Sequence, residues 1–196
     1  MAAAPPLLPG PDGRLRCWWA LAAPDYLPYH DGEWGREVRT DDGLYERLCL
    51  EGFQSGLSWL TILRKRDAFR RAFARFEIED VMRFGEADVA RLLADAGIVR
   101  HRGKIEAAIG NARAAAALRA DGVSLADLVW SHAPAPRPRP RERADVPTTT
   151  PEATALSREL KRRGFRFVGP TTVYATMQAC GVVDDHIDGC CAPHCG

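Results

Sequence analysis

Apolar residues recur at helical spacing over most of this chain, and this periodicity narrows the possible folds more than any other feature. From Thr40 onward they recur mostly three, four or seven residues apart, separations that place side chains on one face of a helix. The stripes are Leu44 and Leu48; Ile62, Phe69, Phe73 and Phe76; Val89, Leu92, Leu93 and Ala96; and Ile105, Ala108, Ile109, Ala112 and Ala116. No segment alternates with the two-residue period of a half-buried strand. The sequence therefore predicts an all-α fold.

Two further helices are predicted near the end of the chain from their first residues. Thr150 can cap a helix with Pro151 at its first position, and this helix should run to Gly164. A last helix should begin near Pro170, since proline is favoured in a first helical turn.

The chain length favours a single domain. With 46% apolar residues, 196 residues suffice for one substantial core and are marginal for two domains. We therefore expect one helical domain over residues 14–196, preceded by a disordered leader at residues 1–13. The segment 134–147, PAPRPRPRERADVP, should be a solvated loop, because its prolines preclude a helix and its charges favour water. Its arginines could touch a phosphate backbone, but composition alone favours a flexible surface excursion.

Charge and hydropathy limit the cellular setting. Basic and acidic residues nearly cancel, 27 against 26, so any nucleic-acid surface must be local. The N-terminus lacks the basic region of a signal peptide, and no apolar run approaches the ~18 residues of a membrane span. These features predict a cytoplasmic protein, in which the six cysteines are more often thiols or metal ligands than disulfides.

Histidine and cysteine pair near both ends of the chain. DHIDGCC places His186 four residues before Cys190, and on a helical turn this spacing puts an imidazole and a thiolate on one face. Cys17 and His30, thirteen residues apart, could complete a Cys2His2 zinc site. Four protein ligands leave no open position, so such a zinc would be structural and would tie the two ends together.

Other interpretations of these ligands stay open. Lone cysteines and histidines are common in protein cores without any metal. A cluster within the tail can also be imagined, although adjacent cysteines rarely reach one tetrahedral ion without strain. Its members would be Cys190, Cys191, His194 and Cys195.

Aromatic residues are concentrated between positions 17 and 59, in CWW, YLPYHDGEWG and LEGFQSGLSW. Tyr29, Glu51 and Gln54 stand among apolar neighbours there, and buried polar groups need partners. Flat rings around a carboxylate suit a pocket for a planar base, because the rings stack and the carboxylate accepts hydrogen bonds or faces a cation. Ordinary core packing is the competing interpretation of such a segment.

Six stretches resemble, in order, the DNA-3-methyladenine glycosylase I family of the helix-hairpin-helix superfamily. They are RCWW, YHDGEWG, LEGFQSGLSW, DAGIVRHRGKIEAAIGNAR, LKRRGFRFVGPTTVYATMQACG and DHIDGCC, and they span residues 16–191. The resemblance implies a helical monomer that flips 3-methyladenine out of alkylated double-stranded DNA. It implies hydrolytic release of the base, leaving an abasic site, with no lyase activity. It also implies a structural Zn²⁺ on Cys17, His30, His186 and Cys190.

The resemblance further assigns roles to pocket and DNA-binding residues. Glu51 and Tyr29 would form the catalytic pair that hydrogen-bonds the base, and Trp59 would stack on it. The other pocket residues would be Tyr26, Trp19, Trp34 and Gln54. The turn AGIVRHRGK would hold phosphates through Gly97, Arg100, Arg102, Gly103 and Lys104. Leu57 would fill the gap left by the flipped base.

Two other functions remain as alternatives. A non-catalytic DNA-lesion-binding module on the same scaffold would bind abasic-site DNA without releasing a base. A zinc hydrolase would need an open metal position, which a four-ligand site does not offer.

Overall fold

The computed structural model describes residues 4–192, most of which are helical, as the sequence predicted. The helices are α1 (Tyr26–Gly32), α2 (Asp41–Gln54), α3 (Trp59–Ala72), α4 (Ile78–Val81), α5 (Glu86–Ala94), α6 (Arg102–Ala120), α7 (Leu125–Trp130), α8 (Pro151–Arg162) and α9 (Pro170–Ala179). Short 3₁₀ turns occur at Trp18–Leu21, Ala74–Phe76 and Arg143–Asp145. Within the described range, no helix is both long and apolar enough to cross a bilayer.

Residues 4–13 are not the disordered leader that the sequence predicted, because they contain a short β-strand. Strand β1 (Leu7–Pro9) pairs antiparallel with strand β2 (Leu15–Cys17), and Gly13 at φ 78° lies in the turn between them. Strands of three residues are too short to show an alternating pattern, so periodicity does not reveal them. Leu7 packs against a small apolar cluster that contains β2 and C-terminal residues, which fixes the segment. The rest of the expected leader lies outside the described residues.

Helix α2 lies at the centre of the fold, where it packs against α3, α6, α7 and α9. It begins at a side-chain cap, because the Thr40 hydroxyl accepts a hydrogen bond from the Gly43 amide at 3.3 Å. The buried Tyr45 hydroxyl donates to the Ala108 carbonyl of α6 at 2.8 Å. These contacts hold α2 in place and so fix the position of Glu51 near its C-terminal end.

Lys104 holds the C-terminal end of α2 from inside the protein. Its Nζ donates to the Phe53 carbonyl at 2.8 Å and to the Ser55 carbonyl at 2.5 Å, and the residue is 8% exposed. The last carbonyls of a helix lack intrahelical donors, and a lysine ammonium can satisfy them. Lys104 therefore uses its charge within the fold, which disfavours the phosphate contact that the sequence predicted.

The predicted stripe through Phe73 and Phe76 does not lie on a single helix. Helix α3 ends at Ala72, and the next turn is left-handed, with φ between 46° and 60° at Ala74, Arg75 and Phe76. This conformation costs a non-glycine residue roughly 1–2 kcal/mol. Burial offsets that cost, because Phe73 and Phe76 are both fully buried and their rings stack with centroids 5.5 Å apart.

Residues 134–147, here named the Pro–Arg segment, are largely irregular and mostly exposed, but the segment is also held against the fold by specific contacts. Arg137 Nη2 lies 2.6 Å from Asp185 Oδ1, and Arg139 Nε lies 2.7 Å from Asp184 Oδ2. Pro140 is buried, and its carbonyl accepts a hydrogen bond from the Asp188 amide at 2.7 Å. The prolines do exclude a helix, but the arginines pair with carboxylates that are distant in sequence.

Candidate functional site

A cavity of about 330 Å³ opens among α1, α2, α3 and α9. All the pocket residues that the sequence suggested line it together: Trp19, Tyr26, Tyr29, Trp34, Glu51, Gln54 and Trp59. The wall also contains Gln178 of α9 and Asp185, which sequence reasoning did not identify. Its volume is at the lower end of the range for small-molecule sites, which suits one flat heterocycle.

Ring-to-ring contacts fix the aromatic walls of the cavity. The Trp19 ring centre lies 5.8 Å from that of Tyr26 and 5.1 Å from that of Trp34, nearly perpendicular in both cases. The Tyr29 and Trp59 rings are 5.5 Å apart and tilted by 46°. Offset and edge-to-face arrangements are the favoured ones for aromatic pairs. A flat ligand therefore meets a preformed surface and loses little binding energy to ordering the walls.

Trp59 is placed at the cavity by the start of α3. The Ser58 hydroxyl caps this helix by accepting a hydrogen bond from the Thr61 amide at 3.2 Å. The indole Nε1 of Trp59 is buried and has no hydrogen-bond partner within residues 4–192. An unpaired buried donor costs about 1–3 kcal/mol, a cost that a ligand acceptor can remove.

Glu51 is a buried carboxylate in the cavity wall. It is 7% exposed, and no described residue donates a hydrogen bond to it. Burial raises the pKa of Glu51 to about 8, while the nearby Arg47 guanidinium acts in the opposite direction. Arg47 is itself paired with Glu33, 3.0 Å away, which Arg66 also binds at 2.6 Å. A cationic ligand would give Glu51 the partner that the protein does not supply.

Tyr29 adds a buried hydroxyl to the same cavity. It is 3% exposed, and burial raises the pKa of its hydroxyl far above the ordinary value, with the Glu51 charge adding to the effect. The hydroxyl therefore keeps its proton and can donate as well as accept. The cavity thus offers one carboxylate and one neutral hydroxyl to a ligand.

Cys17, His30 and Cys190 meet in the interior although they come from opposite ends of the chain. All three are buried, and their ligand atoms lie within 4.8 Å of one another. His186 is adjacent, with its ring centre 5.3 Å from that of His30. Its Nε2 is buried and has no hydrogen-bond partner in the described part of the chain. A cation bound by the cluster would satisfy this nitrogen, so these side chains fit a metal site.

Each of the two histidines is oriented by a carboxylate at its other ring nitrogen. His30 Nδ1 lies 2.8 Å from Asp31 Oδ1, and His186 Nδ1 lies 2.7 Å from Asp184 Oδ1. This leaves both Nε2 atoms for a metal, the arrangement that carboxylates impose on metal-binding histidines. Gly35 allows the His186 ring its position, because a Cβ there would lie 2.5 Å from the ring.

The predicted helical turn from His186 to Cys190 is wrong. Helix α9 ends at Ala179, and the chain continues irregularly to a turn at Gly189, where φ is 86°. Cys190 nevertheless belongs to the cluster, and His186 lies beside it, next to His30. Two ligands of the alternative tail cluster lie outside the described residues: His194 and Cys195.

The turn between α5 and α6 uses part of its backbone internally. The Gly97 amide donates to Asp95 Oδ1 at 2.7 Å, and a Cβ at Gly97 would lie 3.0 Å from Ala68. Gly97 therefore serves the packing of this turn against α3. Gly103 lies in the first turn of α6, where backbone amides have no intrahelical acceptor.

The basic side chains of this turn differ in whether they form ion pairs within the protein. Arg102 pairs with Glu86 at 2.9 Å and with Glu106 at 3.3 Å. Arg100 is exposed and forms no ion pair with a described residue. Leu57, on the turn after α2, is 42% exposed. Of the predicted DNA contacts, Arg100 and Leu57 are thus the ones presented to solvent without a competing interaction.

Phe167 is an exposed aromatic residue near this turn that the sequence analysis missed. It is 37% exposed and has φ 56°, a strained conformation for a non-glycine residue. Asn111 clamps the preceding Arg166, donating to its carbonyl at 3.0 Å and accepting from its amide at 2.8 Å. The Phe167 ring centre lies 6.5 Å from that of His101, the cap of α6.

The structure is thus a helical protein with an aromatic cavity in which the buried Glu51 carboxylate is left without a donor by residues 4–192, an arrangement that can accept a flat, cationic ligand. The family model for methyladenine glycosylase matches residues 19–193. "DNA-3-methyladenine glycosylase 1" of Escherichia coli (strain K12) is 48% identical over 179 residues, which are 90% of this chain and 95% of that protein. The chain belongs to the methyladenine glycosylase family.

Solved structures of the family share the fold. A crystal structure of 3-methyladenine DNA glycosylase I gives a TM-score of 0.87 at 47% identity, with 90% of this chain and 98% of that chain covered. A structure describing 3-methyladenine recognition by the Staphylococcus aureus enzyme gives a TM-score of 0.83 at 36% identity, with 89% and 94% covered.

Proposed function

We propose that this protein is a DNA-3-methyladenine glycosylase, which releases the base by hydrolysis and leaves an abasic site without a lyase step. The observation that carries this proposal is the Glu51 carboxylate, buried in an aromatic cavity without a hydrogen-bond partner among residues 4–192. A buried carboxylate without a partner is unfavourable until a ligand pairs with it. A flat, positively charged base with an amino group would supply both a cation and a hydrogen-bond donor.

The proposed reaction follows from the charge of the damaged base. Methylation at N3 makes adenine cationic, so the base is already a good leaving group and needs no general acid. The enzyme must first flip the nucleotide out of the duplex, and a poorly stacked damaged base costs least to extrude. Trp59 would then stack on the base while Tyr29 and Glu51 bond to its edge. Glu51 would accept from the exocyclic amine, where guanine carries an oxygen and offers no donor.

Activity should depend on pH through Glu51. Binding a cation requires the charged carboxylate, and burial raises the pKa of Glu51 to about 8 in the free protein. We therefore expect kcat/KM for base release to rise as pH increases toward about 8 and to level off above it. The value of kcat should change less, because the bound cation lowers the same pKa. Initial rates on alkylated DNA between pH 6 and 9 would measure this, and a kcat/KM that falls over that range would contradict the role of Glu51.

We propose that the duplex lies against the turn between α5 and α6, as a helix-hairpin-helix element would hold it. Arg100, Arg102 and Gly103 would face the phosphates, and Leu57 would enter the duplex beside the extruded nucleotide. Gly97 would shape this turn. The exposure of Arg100 and Leu57 supports this arrangement.

Substitutions at Arg100 and Lys104 should have different effects on DNA binding. Arg100→Ala should weaken binding to abasic-site DNA and reduce the slope of log K against log salt by about 0.9, since one phosphate contact is lost. Lys104→Met should lower thermal stability but leave that slope unchanged, because Lys104 bonds to internal carbonyls. Fluorescence anisotropy over a salt series would compare the two variants. An equal loss of slope in both would contradict the assignment.

We propose that Cys17, His30, His186 and Cys190 hold a structural Zn²⁺. Thiolates and neutral imidazoles are its preferred ligands, and the set has the size and composition of a closed tetrahedral site. The bound ion would tie β2 and α1 to the C-terminal segment and take no part in the reaction. We further propose that the protein acts as a monomer on double-stranded DNA; its cytoplasmic location stays a prediction.

A further inference from the structure

Asp185 is a buried carboxylate in the cavity wall that the proposed reaction does not use. Its side chain is 0% exposed and accepts hydrogen bonds from three side chains. Arg137 Nη2 donates to Oδ1 at 2.6 Å. The Tyr174 hydroxyl and Gln178 Nε2 both donate to Oδ2, and the bond from Gln178 Nε2 is 2.7 Å long. Arg137 belongs to the Pro–Arg segment, so this segment takes part in building the cavity wall.

The donors around Asp185 determine how the Gln178 amide is oriented. Arg137 Nη2 also donates to the Tyr174 oxygen at 2.9 Å, which directs the tyrosine hydrogen toward Asp185. Burial and the neighbouring Asp185 raise the pKa of Tyr174, so its hydroxyl keeps that hydrogen. A carboxylate paired with a guanidinium can only accept, and therefore Gln178 must present its NH₂ group to Asp185.

The other end of the Gln178 amide is left for a ligand. Gln178 lines the cavity, and its Oε1 accepts no hydrogen bond from a residue in the described part of the chain. Besides the Tyr29 hydroxyl, which can also donate, the cavity therefore offers a ligand two acceptors, the Glu51 carboxylate and the Gln178 carbonyl. A base with an exocyclic amine has two N–H groups at one atom, enough for both acceptors. A 6-oxopurine would place an oxygen there, and the acceptors would repel it or stay unpaired.

We propose that Gln178 Oε1 is a specificity-determining acceptor for the exocyclic amine of the bound base, and that Asp185 is the positioning residue that fixes its orientation. This inference rests on the proposed glycosylase function and names a further part of the same site. Arg137 holds Asp185 in turn. The Pro–Arg segment thus contributes to the choice of substrate through one guanidinium.

The test is Asp185→Asn, which preserves shape but reverses the hydrogen-bond polarity at one atom. The introduced amide would turn its oxygen toward Arg137 and its NH₂ toward Gln178 and Tyr174. The Gln178 amide would then flip and present NH₂ to the cavity, and the Tyr174 hydroxyl would lose the acceptor that it has in wild type. We expect the ratio of kcat/KM for 3-methyladenine over 3-methylguanine to fall by about tenfold or more. Purified full-length protein, methylated DNA and chromatography of the released bases give this ratio.

Three companion variants keep the result interpretable. Gln178→Met removes the carbonyl without altering Asp185 and should lower the same ratio, and the double variant should fall no further than Gln178→Met alone. Asp188→Asn makes the same chemical change at an exposed position three residues after Asp185 and should leave the ratio unchanged. Thermal unfolding and metal content would be compared for all variants, since Asp185 precedes His186.

The possible outcomes separate this inference from the proposed function. If wild-type protein releases neither base, the proposed function fails. If wild-type protein releases 3-methyladenine but Asp185→Asn and Gln178→Met keep its selectivity, the inference is overturned. Equal losses for both substrates would also overturn it, because they would indicate a merely structural role. A selective loss in Gln178→Met supports the acceptor even if Asp185→Asn fails to fold, and non-additivity in the double variant supports the positioning role.

Discussion

Glu51→Gln should lower kcat/KM for base release by about 100-fold or more, a loss typical of removing one preorganised polar group from an active site. The amide keeps the shape of the side chain but cannot provide the negative charge that a cationic base requires. The amide NH₂ group can also face the exocyclic amine of the base, where two hydrogen-bond donors would meet without an acceptor. Base release from alkylated DNA under single-turnover conditions would measure the effect.

The same variant should be more stable than wild type at alkaline pH. The pKa of Glu51 is raised from 4.5 to about 8, so between these values the native protein binds a proton that the unfolded chain has released. Wild-type stability should therefore fall relative to the variant by about 1 kcal/mol for each pH unit across this window. Denaturant unfolding at pH 5 and pH 8 would test the sign.

Glu46→Gln is the matched control for this variant. Glu46 lies on the same helix but faces Arg70, 2.8 Å away, and does not line the cavity. We expect it to keep base release while losing one ion pair, worth at most about 1 kcal/mol. Comparable losses of base release in both variants would show that any disturbance of α2 impairs the reaction. Such a result would contradict a specific role of the Glu51 carboxylate in base release.

Removing the metal should lower the melting temperature by roughly 10 °C, the shift expected for a loss of about 3 kcal/mol in a chain of this size. The reason is that the ion would link β2 and α1 to residues 180–192, which contain no helix or strand. Thermal unfolding with and without a chelator, followed by restoration with zinc, would measure the shift. An identical melting temperature for metal-free protein would contradict the structural role.

Cys17→Ala and Cys49→Ala distinguish metal binding from ordinary core packing. Both thiols are buried, but only Cys17 belongs to the cluster. We expect Cys17→Ala to lose bound zinc, whereas Cys49→Ala should retain about one ion per chain and show only the cost of a small cavity. Elemental analysis of the purified variants gives the answer. Retention of zinc by Cys17→Ala would favour a different ligand set.

Local signals predicted several elements well. Thr150 and Pro151 mark the start of α8, where the Thr150 hydroxyl accepts from the Ala153 amide at 3.2 Å. The cap and the proline act within one turn, so their effect is readable in sequence. The residues suggested for the pocket also line one cavity, although their individual roles stay proposals.

Long-range partners account for most of what the sequence did not predict. Lys104 looks like a surface cation in a basic stretch, yet its acceptors lie about fifty positions earlier, on α2 and the turn after it. Arg137 pairs with Asp185, and Leu7 packs against residues of the opposite terminus. The composition of such a segment predicts whether it is polar or apolar. It does not predict which distant carboxylate or apolar patch the segment contacts.

The most direct test of the proposed function is release of free base from methylated DNA by the purified protein, resolved by chromatography, with Glu51→Gln alongside. The proposal predicts that wild-type protein releases 3-methyladenine, leaves 7-methylguanine in place and produces abasic sites without strand cleavage, and that the variant is nearly inactive. No release by folded, zinc-loaded protein that still binds abasic-site DNA would contradict it and would indicate a lesion-binding module instead.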